Sequence, residues 1–126
     1  MENKFLSTKN APAAIGPYSQ GIKTGNLIFT SGQLPMNPVS GELITGDIKA
    51  ATKASLENIK AVLKAGGATI EDIVKVLIFV KDMDDFGTIN EVYADFFGAH
   101  KPARAVVEVV RLPKDADIEI EAIASI

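Results

Sequence analysis

A chain of 126 residues with 47% hydrophobic and 23% charged side chains, ten glycines and six prolines has the make-up of one soluble globular domain, large enough to fold without a disulfide or a metal. Its formal charge of −3, with lysines scattered along the chain, excludes a protein that works by neutralising nucleic-acid phosphates on a basic face. The longest uninterrupted apolar run, Val76 to Val80, is far too short to span a bilayer, and the opening "MENKFLSTKN" lacks the apolar stretch of a secretion signal. The expected location is the cytoplasm, with no membrane partner.

The first segment, "NAPAAIGPYSQG", is punctuated by Gly and Pro and reads as loop. "GIKTGNLIFTSG" then predicts two short strands about a Thr24-Gly25-Asn26 turn, and "LPMNPVSGE" a further loop. Between Asp47 and Gly67, residues Ile48, Ala51, Ser55, Leu56, Ile59, Val62 and Leu63 fall on one helical stripe closed by a Gly pair. Thr69 and Asp72 have the spacing of a capping box before one helical turn, and "VKVLIFVK" follows as a largely buried strand. "DDFGTINEVYADFFG" predicts a second helix with Phe86, Ile89, Tyr93 and Phe96 on one side, which Pro102 prevents from extending. The chain ends in two more strands, "ARAVVEVV" and "DIEIEAIA", around a Pro113-Lys114-Asp115-Ala116 turn. This order predicts an α+β domain in which two helices cover one face of a mainly antiparallel sheet.

The last two strands raise a question, because full charges interrupt their apolar alternation. Read as a hairpin with Leu112 facing Asp117, they place Ala103, Ala105, Val107 and Val109 on one apolar face with Ile118, Ile120, Ala122 and Ala124, expected under the helices. Arg104, Val106, Glu108 and Val110 then share the other face with Glu119, Glu121 and Ile123, a mixture that fits a subunit interface. In that register Arg104 stands roughly 20 Å along the strand from Glu119. Cooperation between them therefore requires a second chain. By alternation alone such charges are ordinarily solvated, and Glu119 and Glu121 are equal candidates.

The segments "PARAVVEVVRLPKDADIEIEAIA", "NAPAAIGPYSQG", "TSGQLP" and "VKVLIFVKDMDDFGTIN", in this order, resemble the Rid family in its RidA branch, the reactive intermediate deaminases. The likeness runs from about Asn10 to Ala124 and makes residues 1–126 a single Rid-type domain. The resemblance implies a chorismate-mutase-like subunit, three of which form a homotrimeric barrel with ligand clefts between neighbours. It also implies a cofactor-free 2-iminobutanoate/2-iminopropanoate deaminase, which hydrolyses 2-imino and enamino acids to 2-oxo acids and ammonium. Carried over by position, Arg104 binds the substrate carboxylate and Glu119 the water. Tyr18 supplies the aromatic wall, Ser31 and Gly32 a ligand-contacting loop, and Asn90 a helical amide. The chain departs from the family at Val106, where many members have cysteine, so no thiol acts there, although its backbone still lines the site.

Chemistry agrees with these assignments. A guanidinium donates two parallel hydrogen bonds to a carboxylate and so fixes its orientation, while a carboxylate beside the C=N carbon can take a proton from water. The flanking Ile118 and Ile120 do not set the titration of Glu119, since they point to the other face. Tyr18 is either a cleft wall or a loop aromatic packed on the sheet. A serine nucleophile is not expected at Ser31, because the one histidine, His100, has no triad pattern around it. No cysteine and one histidine leave no zinc site. Asp82, Asp84 and Asp85 fit a helix N-terminus better than a calcium loop. The rival reading is a non-enzymatic sensor of small 2-oxo carboxylates, which needs Arg104 but has less use for Glu119. An RNA-cleaving role, associated with relatives, is disfavoured by the acidic balance.

Overall fold

The computed structural model describes residues 2–126. Six strands, β1 (Asn3–Leu6), β2 (Gly21–Thr24), β3 (Leu27–Thr30), β4 (Ile73–Val80), β5 (Ala103–Glu108) and β6 (Ile118–Ser125), form one sheet in the order β1-β2-β3-β6-β4-β5. Two helices, α1 (Ile48–Ala65) and α2 (Phe86–Phe97), cover one face. The α+β class is as expected, but β1 adds a strand to a stretch that the sequence reading leaves unassigned. Of its four residues only Leu6 is buried, so it carries almost no apolar signal and is held by pairing to β2.

The helices form where expected. Asp47 caps α1 by accepting a hydrogen bond from the Ala50 amide at 3.1 Å, which satisfies one of the four amide donors a helix start leaves free. Leu56, Ile59 and Leu63 of α1 then meet Ile28, Ile78, Ile118 and Ile120 of the sheet in the core. Thr69 donates its amide to the Asp72 carboxylate at 2.8 Å, as the capping-box spacing predicts. Among the described residues no helix is long and apolar enough to cross a membrane.

The C-terminal hairpin is a correction. The Pro113–Asp115 turn forms, with the Asp115 amide donating to the Leu112 carbonyl at 3.1 Å, but the strands it links are not neighbours. Strand β4 lies between them, antiparallel to β6 and parallel to β5. A turn is a local signal, whereas the choice of partner is set by β4, whose Val76, Ile78 and Val80 are fully buried and whose backbone needs a ladder on both sides.

This insertion reverses the expected faces. Arg104, Val106 and Glu108 pair with Val76, Ile78 and Val80, on the helix-covered face. Ala103, Ala105 and Val107 pair with Lys75, Leu77 and Phe79, on the outer face that also carries Glu119, Glu121 and Ile123. Phe5, Ile22 and Phe29 extend that outer face across β1 to β3. Strand β5 is a sheet edge.

Ile78 pairs with Ile120 on one side and Val106 on the other and is wholly buried. Ile78→Ala is expected to lower unfolding free energy by about 2–5 kcal/mol, read from urea unfolding of the two proteins side by side.

Candidate functional site

The expected site residues fall into two groups on opposite sides of the sheet. The first lies where β3 ends. Past Thr30 the chain continues beside β6 through one antiparallel bridge: the Gln33 amide donates to the Ile120 carbonyl at 2.7 Å, and the Ile120 amide donates back at 3.1 Å. That bridge presses Gly32 against the Glu119 side chain. A Cβ at Gly32 would overlap Glu119 Oε1 and lie 2.7 Å from its Cδ, so only glycine lets the carboxylate sit there.

Tyr18, Ser31, Gly32 and Glu119 line a single cleft of about 510 Å³. Ile15, Leu34, Met36 and Pro113 supply apolar wall, and Lys114 is a cation on the lining. Tyr18 is half exposed, so it belongs to the cleft and is not an aromatic packed away on the sheet. Its hydroxyl accepts from the Ile15 amide at 3.4 Å. Ser31 donates its hydroxyl to the Ser19 carbonyl at 2.6 Å and its amide to the Gln20 carbonyl, which makes it a fastener of the cleft wall.

Sequence reading overlooks Gln20, whose buried side chain ties the N-terminal segment to the cleft. Its amide nitrogen donates to the carbonyls of Thr8, Ala11 and Pro12 at 3.0, 3.2 and 2.8 Å, and its Oε1 accepts from the Thr8 amide at 2.6 Å. The position "YSQG" gives no hint of this, since such a network exists only after folding. Pro113 and Lys114 also enter the wall unannounced, carried there by consecutive left-handed residues, Lys114 at φ 58° and Asp115 at φ 56°.

Burial pushes the Glu119 carboxyl above its ordinary pKa, and the negative charge of Glu121 adds to the effect. Glu121 shares the outer face but lines a different hollow, with Phe29, Lys75 and Leu77. The geometry thus separates the two acids that alternation leaves equivalent.

The second group surrounds Arg104 on the other side. Its Nη1 donates to Asn90 Oδ1 at 2.8 Å, and its Cζ lies 4.6 Å from the Tyr93 ring centre and 5.6 Å from that of Phe86. Phe86, Asn90 and Tyr93 stand at i, i+4 and i+7 on α2, the spacing of one helix face. The expected apolar side of α2 is accordingly divided: Ile89 and Phe97 are its buried residues, while Phe86 and Tyr93 face the guanidinium. Among the described residues the ion pairs are Lys49–Glu91 and Arg111–Asp115, so Arg104 has no carboxylate of its own subunit. Val106, two residues along, packs against the core beside it.

Glu119 pairs with Phe79 and Arg104 with Val76. Three residues apart on β4, these positions face opposite ways, so the sheet itself lies between the two charges. The two charges therefore occupy separate places on this chain. Among the described residues no group of three or more His, Cys, Asp or Glu is placed to hold a metal ion.

The chain was compared with known proteins. The family model described as endoribonuclease L-PSP matches residues 8–126. A RutC family protein of Pyrococcus horikoshii is 59% identical over 121 residues, 96% of each chain. The 2-iminobutanoate/2-iminopropanoate deaminase of Escherichia coli is 54% identical over 125 residues, 97% of each chain. The crystal structure of Escherichia coli TdcF with bound serine matches with a TM-score of 0.94 at 48% identity, over 98% of both chains.

The raised pKa of Glu119 has a consequence for stability. A carboxyl that titrates higher when folded costs nothing at low pH, where both states are protonated, and destabilises the fold as pH rises past its unfolded pKa. Glu119→Gln is therefore expected to melt higher than the parent at pH 7, and the difference should vanish toward pH 4, near the ordinary glutamate value of about 4.3. Thermal scans at the two pH values check this.

Proposed function

The chain belongs to the endoribonuclease L-PSP family, with 2-iminobutanoate/2-iminopropanoate deaminase among its relatives, and on that footing we propose that it hydrolyses reactive 2-imino acids to 2-oxo acids and ammonium. As a single Rid-type domain it works in clefts between subunits of a homotrimer in the cytoplasm. The observation that carries this reading is the split site: an arginine without an anion on one side of the sheet, and an acid held in an apolar-walled cleft on the other. A patch that needs a different patch on its neighbour gives either a twofold pair or a closed ring. The Rid resemblance favours a ring of three.

In such a cleft the Arg104 fork takes the substrate carboxylate in two parallel hydrogen bonds, which places the adjoining C=N carbon against the neighbour's Glu119. Glu119 accepts a proton from water as the water oxygen bonds to that carbon and the C=N electron pair moves to nitrogen. The carbinolamine nitrogen then receives a proton, the C–N bond breaks, and ammonia leaves as the hydroxyl loses its proton to form the 2-oxo acid. Starting from the iminium, one water is consumed and one ammonium released. The apolar wall of Ile15, Leu34 and Met36 suits a short aliphatic side chain, and the serine bound by TdcF supports a site of amino-acid size. Phosphate recognition is not supported, because one lysine on the lining of the Glu119 cleft supplies too little charge.

The assay generates an imine with an amino-acid oxidase and follows its disappearance with and without the protein. Acceleration is expected, with Glu119→Gln lowering kcat about 10²–10⁴-fold. Tight 2-oxo acid binding without acceleration would leave a sensor. A shared site makes a further prediction: Arg104→Ala and Glu119→Gln chains, each inactive alone, regain activity when co-assembled, to about a quarter of sites on random mixing in a ring. No recovery would place each site within one chain.

The base form of Glu119 is lost as pH falls through its raised pKa. The acid limb of kcat/KM is therefore expected above the ordinary glutamate range, and Glu121→Gln, by removing a like charge, should move that limb to lower pH. A pH–rate series on the two proteins tests it.

A further inference from the structure

The Arg104 guanidinium meets three side chains of α2, Asn90, Tyr93 and the more distant Phe86 ring, and the two nearer contacts differ in kind. Asn90 Oδ1 takes one N–H at 2.8 Å, which fixes the guanidinium at one point about which it can still swing. Tyr93 meets it face on, with Cζ 4.6 Å from the ring centre. That is well inside the reach of a cation–π contact.

The ring is itself backed by the core. Tyr93 lies 4.6 Å from the Phe97 ring, which packs edge-on to Phe96 at 5.1 Å, and Phe97 is buried. The Tyr93 hydroxyl is also buried and has no hydrogen-bond partner. What this residue contributes within the subunit is accordingly its ring, since the hydroxyl bonds to nothing that would explain it.

From this we infer that Tyr93 is a positioning residue: its ring is the platform that holds the Arg104 guanidinium in one plane, with the N–H groups not taken by Asn90 turned out for the substrate carboxylate. The inference rests on the proposed role of Arg104. The platform adds nothing to the chemical step. It removes a motion that arginine would otherwise lose on binding, and so acts on affinity. Asn90, expected from family resemblance to touch the ligand, gives its Oδ1 to Arg104.

The test combines binding, kinetics and side-chain NMR. With 2-oxobutanoate as probe, calorimetry on Tyr93→Leu should show affinity weakened about three- to thirtyfold, with KM rising in step and kcat changing less. Tyr93→Phe should recover most of the loss. In an Arg104→Lys background, Tyr93→Leu should change affinity less than about twofold, because the planar group it supports is gone. An equal effect in both backgrounds would overturn the inference, since Tyr93 would then act through packing of α2; so would a Tyr93→Leu protein that binds like the parent.

If Arg104→Lys alone leaves binding and turnover unchanged, the proposed function fails. The NMR arm then decides the inference separately. In the parent protein, the Arg104 guanidinium protons should show slow rotation about the Nε–Cζ bond and shifts from an aromatic ring. A freely rotating, unshifted guanidinium in the parent would overturn it, and this measurement stands even if Tyr93→Leu does not fold.

Discussion

The insertion of β4 between β5 and β6 is the constraint on which the rest depends. Had the two C-terminal strands paired as their connecting turn suggests, Arg104 and Glu119 would share a face and point the same way. Because a buried central strand must bond on both sides, β4 takes β6 on one edge and β5 on the other. The parallel β4–β5 pair requires a crossover, and α2 is that crossover. The same step that places β5 at the sheet edge thus lays the Phe86, Asn90, Tyr93 face of α2 beside Arg104. Topology and half-site have one cause.

Among the described residues neither Arg104 nor Glu119 has an ion-pair partner. Glu119 is half buried with a like-charged neighbour, and Arg104 has an amide and two rings but no anion. A fold selected only for stability would pair such groups or move them to water, since a buried charge without a partner is costly. Both are instead set in place by neighbouring elements: the carboxylate by the Gly32 approach and the Gln33–Ile120 bridge, the guanidinium by α2. Placement without neutralisation is what a site needs if its partner is to be a ligand.

Much of this was legible in the sequence, and the part that was not has a common origin. The α1 stripe, its closing Gly pair and the Thr69–Asp72 box are local features, with periodicity and spacing visible within a few residues. The Rid motifs extended that reach, and the family match over residues 8–126 agrees with them. Strand pairing is non-local. Alternation correctly put Ile118, Ile120, Ala122 and Ala124 under the helices, but it assigned β5 to the wrong side because it assumed the wrong neighbour, and a strand's period of two turns one wrong assumption into a reversed face. The same limit hid Gln20, whose four hydrogen bonds reach back to residues 8–12, and β1, whose residues carry no pattern of their own. Opposite faces nevertheless separate the two charges as effectively as distance along one strand.

Val106 shows how position governs what a departure from family pattern can mean. It sits on the helix-covered face two residues beyond Arg104, opposite Ile78, and packs against the core. Valine fills that place with apolar bulk and offers no nucleophile. Covalent chemistry at this point is therefore closed to the chain, and the hydrolysis set out above needs none, since its nucleophile is water. Valine places apolar bulk on the face that Arg104 shares, and low polarity there would strengthen the attraction between Arg104 and a carboxylate in the proposed site. Valine at this position is thus compatible with the proposed carboxylate-binding role of Arg104 and the proposed water-activating role of Glu119, neither of which calls on a thiol.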